Sequence, residues 1–449
     1  MMNEASHFFD PVVKQPLGKL YDLVTGDEDA RVCKDIPSES CDDQPRNFFV
    51  YLGANLLTKV ADELCSAKLI LPWLLGALGS PAFLVGLLVP IREAGVLIPQ
   101  LAVAAYIRRL PLRKGVWIWG SLLSAAALAI MALAAAALSG AIAGWAVVGL
   151  LVLFSLSRGL CSVSAKDVLG KTVSKARRGN LMGLSAGIAG ALTLALGLYL
   201  QLATGDETGA PVFVALLGGA ALLFAVAALL FHFIREQPGA TEGGGNAFET
   251  AIDSLALLRK DPLFRRFVLV RIALLSVALA PPFYVLLLQS GSGGNLSGLG
   301  LLIIASGLAS SISAPIWGRL SDRSSRLVMV LASAAAGLVG LLTWLLARVD
   351  ADLLLSHYVF AALFLLLNIA HSGVRLGRKV YLVDMASSDT RAAMVAVSNT
   401  AIGIAMLAGG FIGIIADLYD AAAVILVLGI ASCGAAIYAL SLTEVSEPD

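Results

Sequence analysis

The stretch NLLTKVADELCSAKLILPW, residues 55–73, sets four charged side chains, Lys59, Asp62, Glu63 and Lys68, in a run otherwise apolar enough to cross a bilayer. At the centre of such a helix each charge costs roughly 2.5–3.5 kcal/mol on insertion scales, so charges kept there serve chemistry or pairing. A carboxylate in this setting can take up and release a proton, and a lysine or arginine can hold an anion. Further charges of this kind recur along the chain. They are Arg92 and Glu93 in VPIREAGV, Arg158, Arg271 in VLVRIALL, and His371 with Arg375 in LLNIAHSGVRLGRKV.

At about 100° per residue, Asn55, Asp62, Glu63 and Ser66 fall with Lys59 within roughly a third of a helix circumference. Leu57, Val60, Ala61 and Leu64 take the other side. The polar stripe is expected to face protein or water, never lipid. Lys68 falls on the far side and is expected to snorkel outward, without a role. Lys59 could also pair with Asp62 or Glu63 as a packing device. Arg92 and Glu93, being adjacent, do not face each other and need partners on the first span.

The elements that must position these residues are membrane helices. The chain has 449 residues, 58% hydrophobic and only 14% charged, where soluble domains average about 25% charged. Apolar runs near 48–75, 82–105, 115–138, 144–165, 180–202, 211–234, 264–289, 298–318, 327–347, 356–376, 392–415 and 421–443 are each long enough to cross, which takes about 20 residues. They predict an all-α polytopic membrane protein of about twelve transmembrane helices. Basic loops RRLPLRK (108–114), KDVLGKTVSKARR (166–178), GRLSDRSSR (318–326) and GRK with Arg391 alternate with loops in which Arg348 is the sole base. The positive-inside rule then puts the basic loops and both termini in the cytoplasm, in a plasma (inner) membrane. Trp73, Trp117, Trp119, Trp317 and Trp344 read as interfacial belt residues.

Residues 1–46 form an acidic cytoplasmic lead without the apolar core of a signal peptide. Residues 235–263 form a cytoplasmic linker in which Phe248, Ile252, Leu255 and Leu258 are spaced for one face of an amphipathic helix. It separates a six-helix half, 47–234, from a second, 264–443, ahead of a short tail, 444–449. Sliding the chain on itself by 213 residues sets Lys166 on Lys379, Arg178 on Arg391 and Ser185 on Ser398, which points to duplication.

The motif GRLSDRSSR, Gly318 to Arg326, resembles the G-x-L-x-D-R-x-x-R loop of the major facilitator superfamily, and Arg178–Gly179 and Arg158 are similar to that family's pattern. The resemblance implies two pseudo-symmetric six-helix halves, alternating access, and a central cavity lined by spans 1, 4, 7 and 10. It implies a cytoplasmic gate at Gly318, Asp322, Arg323 and Arg326, with Gly318 allowing close helix approach and Asp322 facing a helix N-terminus and the arginines. The corresponding first-half loop departs from the pattern, with Arg109 where Asp322 would fall, and the Gly-Pro-rich antiporter signature is missing from span 5.

The offset relates Arg158 to His371 and brings Lys59 within one position of Arg271, so bases recur on all four cavity spans. Lys59, Lys68, Arg92, Arg158, Arg271 and Arg375 outnumber Asp62, Glu63 and Glu93, and the second half has no deep acid. The expected function is secondary active transport of a small anionic organic solute bound by Asn55, Lys59, Arg158, Arg271, His371 and Arg375. Asp62, Glu63 and Glu93 would couple it to protons. The alternative is a proton-driven exporter of drugs or other amphipathic compounds such as a siderophore or lipid.

An enzyme is not expected: there is no G-x-x-x-x-G-K-[ST] loop, no catalytic-sized soluble segment and no nucleophile–base constellation. Cys33, Cys41, Cys65, Cys161 and Cys433 have no metal or disulfide pattern, and no cofactor, metal or nucleic acid is expected. The expected partners are a small-molecule substrate, protons and the bilayer, with the chain acting as a monomer.

Overall fold

The computed structural model describes residues 20–21, 23–25, 36, 41–202, 210–239, 241, 257–387 and 390–445. Among them there is no strand, and eleven helices are long and apolar enough to cross a membrane. These are spans 2 to 12: Phe83–Arg108, Lys114–Ala137, Gly140–Thr172, Lys175–Leu202, Pro211–His232, Pro262–Gly291, Leu296–Arg323, Ser325–Val349, Tyr358–Met385, Ala393–Leu418 and Ala421–Ala439. The chain is a multi-pass membrane protein. Phe248, Ile252 and Leu255 of the predicted linker helix lie outside the described residues; Leu258 is in a short helix, Leu257–Lys260.

Span 1 differs from the expected continuous helix. It consists of Gln44–Leu64 and Ile70–Ala77, with Cys65–Leu69 unwound. Pro72 supplies the physical reason. In an unbroken helix its ring would collide with the carbonyl of Lys68, four residues earlier, and no N–H would be left to bond that carbonyl. The break shifts everything after Leu64 off the wheel that the sequence suggests.

Local chemistry fixes the other starts. Asp261 accepts from the Phe264 amide at 3.0 Å with Pro262 next to it, opening span 7. Asn295, Ser324 and Asp420 cap spans 8, 9 and 12 in the same way.

Within the first half, span 1 packs on spans 5 and 6, span 3 on spans 4 and 6, and span 2 on span 4. In the second half, span 10 packs on spans 8 and 9, and span 9 on span 12. The halves meet through spans 5 and 8 and through spans 2 and 11. Both meetings are tightest at one end. A Cβ on Gly300 would sit 2.6 Å from the Gly197 carbonyl oxygen, and one on Gly86 would sit 2.5 Å from that of Gly410. Only glycine lets the backbones approach so closely. At the same end the Asp417 carboxylate accepts from the amides of Ala82 (2.7 Å) and Phe83 (3.2 Å), so span 11 caps span 2 across the interface. Toward the other end spans 5 and 8 diverge, and Gly183, Gly187 and Gly318 face open space.

A second apolar cluster lies at the end bearing the basic loops. Trp117 stacks on Phe231 with centroids 3.8 Å apart, and Tyr21 from the N-terminal lead stands edge-on to Phe48 at 5.2 Å. Tyr21 is only 2% exposed, its hydroxyl accepts from Gln44 at 2.6 Å, and Arg177 donates to the Thr25 carbonyl at 3.0 Å.

Trp73, Trp117 and Trp317 are buried in the packing, contrary to the belt expectation, whereas Trp119 is 68% exposed. Trp317 donates to the Ile369 carbonyl at 2.8 Å, which explains how its polar edge is accommodated inside. Cys41 is disulfide-bonded, whereas a pairing of Cys33 with Cys41 is the disfavoured reading of the sequence, and Cys65, Cys161 and Cys433 are free.

Candidate functional site

Asp62 lies at the centre of the first-half charges. Its Oδ1 accepts from Arg92 of span 2 at 3.0 Å and its Oδ2 from Arg158 of span 4 at 2.6 Å. Each guanidinium also covers an aromatic ring, Arg92 over Phe154 at 5.2 Å and Arg158 over Phe224 at 4.9 Å. The carboxylate is thus shared by two cations, and the triad carries one net positive charge. The partner that Arg92 requires on span 1 is this aspartate.

The stripe on span 1 opens into a cavity of about 620 Å³ between spans 1, 5 and 8. Lys59, Asp62 and Glu63 line it from one side, with Gly190 of span 5 and the hydroxyls of Ser306 and Ser310 of span 8 opposite. Asn55, one turn before Lys59, donates to Ser185 of span 5 at 2.7 Å. The lining of this cavity does not include Arg158, Arg271, His371, Arg375 or Glu93.

Those groups belong to a second cluster where span 1 breaks. The unwound turn carries Lys68 inward, correcting the outward-snorkelling expectation, and its Nζ lies 3.2 Å from His371 Nε2 of span 10. Glu93 of span 2 interacts electrostatically with Lys68, Arg92, Arg375 and Arg378. Arg378 was assigned by sequence to a cytoplasmic loop, GRK. Span 10 instead continues to Met385 and holds that side chain half-buried within the helix.

Arg271 of span 7 is 7% exposed and donates to neutral partners, the Ser398 hydroxyl and, at 3.5 Å, the Asn399 side-chain oxygen of span 11. Asn399 in turn reaches Gln100 of span 2 at 3.4 Å. Among the described residues, no carboxylate lies within ion-pairing distance of Arg271, Arg375 or Arg378. The Nε of Arg271 is buried without an acceptor.

The loop motif is arranged differently from its resemblance. Gly318 has open space around it rather than a close helix, and Asp322 and Arg323 are exposed. The N-terminus of span 9 is capped by Ser324, not Asp322, with the Ser324 hydroxyl accepting from Leu327 at 3.0 Å. Arg326 turns to the segment after span 12, donating to the Leu442 carbonyl at 3.1 Å and facing Glu444 at 3.5 Å. A serine caps in the tight 324–325 turn because its short side chain reaches the amide three residues on.

Lys68, Arg378, Ser398 and Asp417 are the residues that sequence reading left without a role. Pro72 was the available signal for Lys68, and the spacing of His371, Arg375 and Arg378 was the signal for Arg378. Nothing local marks Ser398 or Asp417, whose partners, on spans 7 and 2, are distant in sequence.

The bundle thus meets through paired spans, 5 with 8 and 2 with 11, beside a polar cavity lined by spans 1, 5 and 8. Residues 266–449 match the family model of the Major Facilitator Superfamily. The fold is similar to that of a point mutant of the nucleoside transporter NupG, at TM-score 0.69 and 14% identity, covering 88% of this chain and 99% of that one. It is also similar to a D-xylose-proton symporter, at TM-score 0.68 and 13% identity, covering 89% and 98%. A third neighbour is a POT family transporter in complex with 5-aminolevulinic acid, at TM-score 0.63 and 12% identity, covering 88% and 95%. No curated protein matches the sequence. The family model thus covers the second half of the chain, and the fold of the whole is the one these transporter structures share.

Proposed function

We propose that this protein is a secondary transporter, moving a small organic anion together with protons by alternating access between the halves 47–234 and 264–443. The observation that carries the reading is the charge balance along the interface. Seven bases, Lys59, Lys68, Arg92, Arg158, Arg271, Arg375 and Arg378, face three acids, Asp62, Glu63 and Glu93. Uncompensated positive charge in a membrane interior is costly, and an anionic substrate offsets it by accepting charge-assisted bonds. Asp62, shared between Arg92 and Arg158, and Glu63, facing the cavity, are the groups to carry protons. A proton arriving on Asp62 would free Arg158 for the substrate, which couples the two ligands through one side chain.

The positive-inside rule supports a plasma (inner) membrane location with both termini cytoplasmic. On that orientation the tight end, with Gly197–Gly300 and Asp417 on Ala82, is external, and the cavity between spans 5 and 8 faces inward. Exposed Asp322 and Arg323 then belong to a gate that engages when this end closes. The likeness in fold to a D-xylose-proton symporter supports a proton as co-substrate. Residues 1–46, 235–263 and 444–449 serve as lead, tether and tail.

The test is uptake into proteoliposomes of anionic, neutral and cationic solutes, with and without an inward proton gradient. Gradient-stimulated uptake of anions, lost in Asp62→Asn, is expected. Selective movement of neutral or cationic amphipaths would instead establish the exporter alternative.

A further inference from the structure

Span 10 carries a basic ladder that the proposed reaction has not yet used. His371, Arg375 and Arg378 are spaced i, i+4 and i+7, which places them within about 60° of one another around the helix. Lys68, delivered by the break in span 1, meets the first rung at His371. Among the described residues Glu93 interacts with Lys68, Arg375 and Arg378 together, and Arg92 beside it is already held by Asp62. Glu63 acts on Lys68 as well, so these three cations face two carboxylates and keep one positive charge. Arg271, which lies in the electrostatic field of Arg378, donates among the described residues to the uncharged Ser398 and Asn399, and so adds a second positive charge.

We infer that the ladder of span 10, completed by Lys68, is the subsite for the charged end of an organic dianion, either two carboxylates or one phosphate monoester. This deepens the anion-transport reading and rests on it. A monocarboxylate would leave one positive charge of the cluster unmatched, whereas a dianion neutralises it. Arg375 and Arg378 stand one turn apart and present two planar forks, a match to a pair of anionic oxygens that one lysine cannot supply. Arg375 is exposed while Arg378 is half-buried, so the ladder runs from an accessible rung to a sheltered one.

Competition for anion uptake in proteoliposomes tests this, using succinate, glucose 6-phosphate and lactate as probes on the wild type, Arg378→Gln and Arg378→Lys. The expected result is that a dianion competes best and that Arg378→Gln raises its half-saturating concentration by about tenfold or more, with a smaller change for lactate. Arg378→Lys, which keeps the charge, is expected to recover part of the loss and to show that the bundle still folds. Preference for succinate identifies the dicarboxylate and preference for glucose 6-phosphate the phosphate. Equal competition by lactate, or an equal loss for mono- and dianions in Arg378→Gln, overturns the dianion inference while leaving anion transport standing. No competition from any anion overturns both.

Discussion

Arg178 and Arg391 make the same two contacts 213 residues apart. Arg178 donates to the carbonyls of Val173 (2.9 Å) and Gly170 (2.9 Å), closing the end of span 4. Arg391 donates to those of Ala386 (3.3 Å) and Val383 (3.3 Å), closing the end of span 10. Both acceptors are displaced by the same 213 residues as the donors. Ser185 and Ser398 repeat the pattern, one taking Asn55 of span 1 and the other Arg271 of span 7.

A guanidinium at a helix C-terminus satisfies carbonyls that no amide reaches and complements the helix dipole. Arg178→Ala and Arg391→Ala should therefore each destabilise their half, by about 1–2 kcal/mol. The shorter bonds of Arg178 predict the larger loss for Arg178→Ala. Thermal unfolding in detergent checks the order, which fails if Arg391→Ala is the more damaging.

Asp62 holds two arginines, so Asp62→Asn exposes both to an unmatched interior. Transport should fall at least tenfold, and the melting temperature should drop, since breaking such a pair is strongly destabilising even for a side chain that is partly exposed. Arg92→Gln leaves Asp62 with Arg158 and should be milder in both readouts. Equal damage from the two changes would mean that Arg92, not Asp62, organises the triad.

Asp417 supplies an N-cap to span 2 from the opposite half. Asp417→Ala should cost about 1 kcal/mol of the closed contact at that end and shift the population toward its opening. Labelling of a cysteine placed at Ala82 by a membrane-impermeant maleimide should become faster. Unchanged labelling would show that the glycine crossings alone hold the end shut.

Tyr21 anchors the N-terminal lead to the first half through Phe48 and Gln44. Tyr21→Ala should remove a buried ring at about 3–5 kcal/mol, and limited proteolysis in detergent should then cut near residue 25 sooner. No change in cleavage would mean that the lead is held elsewhere.

The order of the membrane helices was legible because long apolar runs with basic loops are a one-dimensional signal, and eleven of about twelve expected spans are helices long and apolar enough to cross. The stripe of Lys59, Asp62 and Glu63 was legible for the same reason, since all three precede the break. Lys68 was not, because helical phase holds only while the helix does and Pro72 ends it. The burial of Arg378 was missed because a helix end was read from charge, and span 10 runs nine residues past Leu376, where the apolar run stops. Pairings such as Arg158 with Asp62 or Arg271 with Ser398 join segments about a hundred residues apart and have no local trace.

The most direct test is the proton stoichiometry of anion movement. Proteoliposomes carrying an internal pH dye, with no imposed gradient, should acidify inside when an external organic anion is added, and Asp62→Asn should abolish the change while the dianion still binds. Anion entry without any internal pH change in the wild-type protein would contradict the coupling on which the mechanism depends.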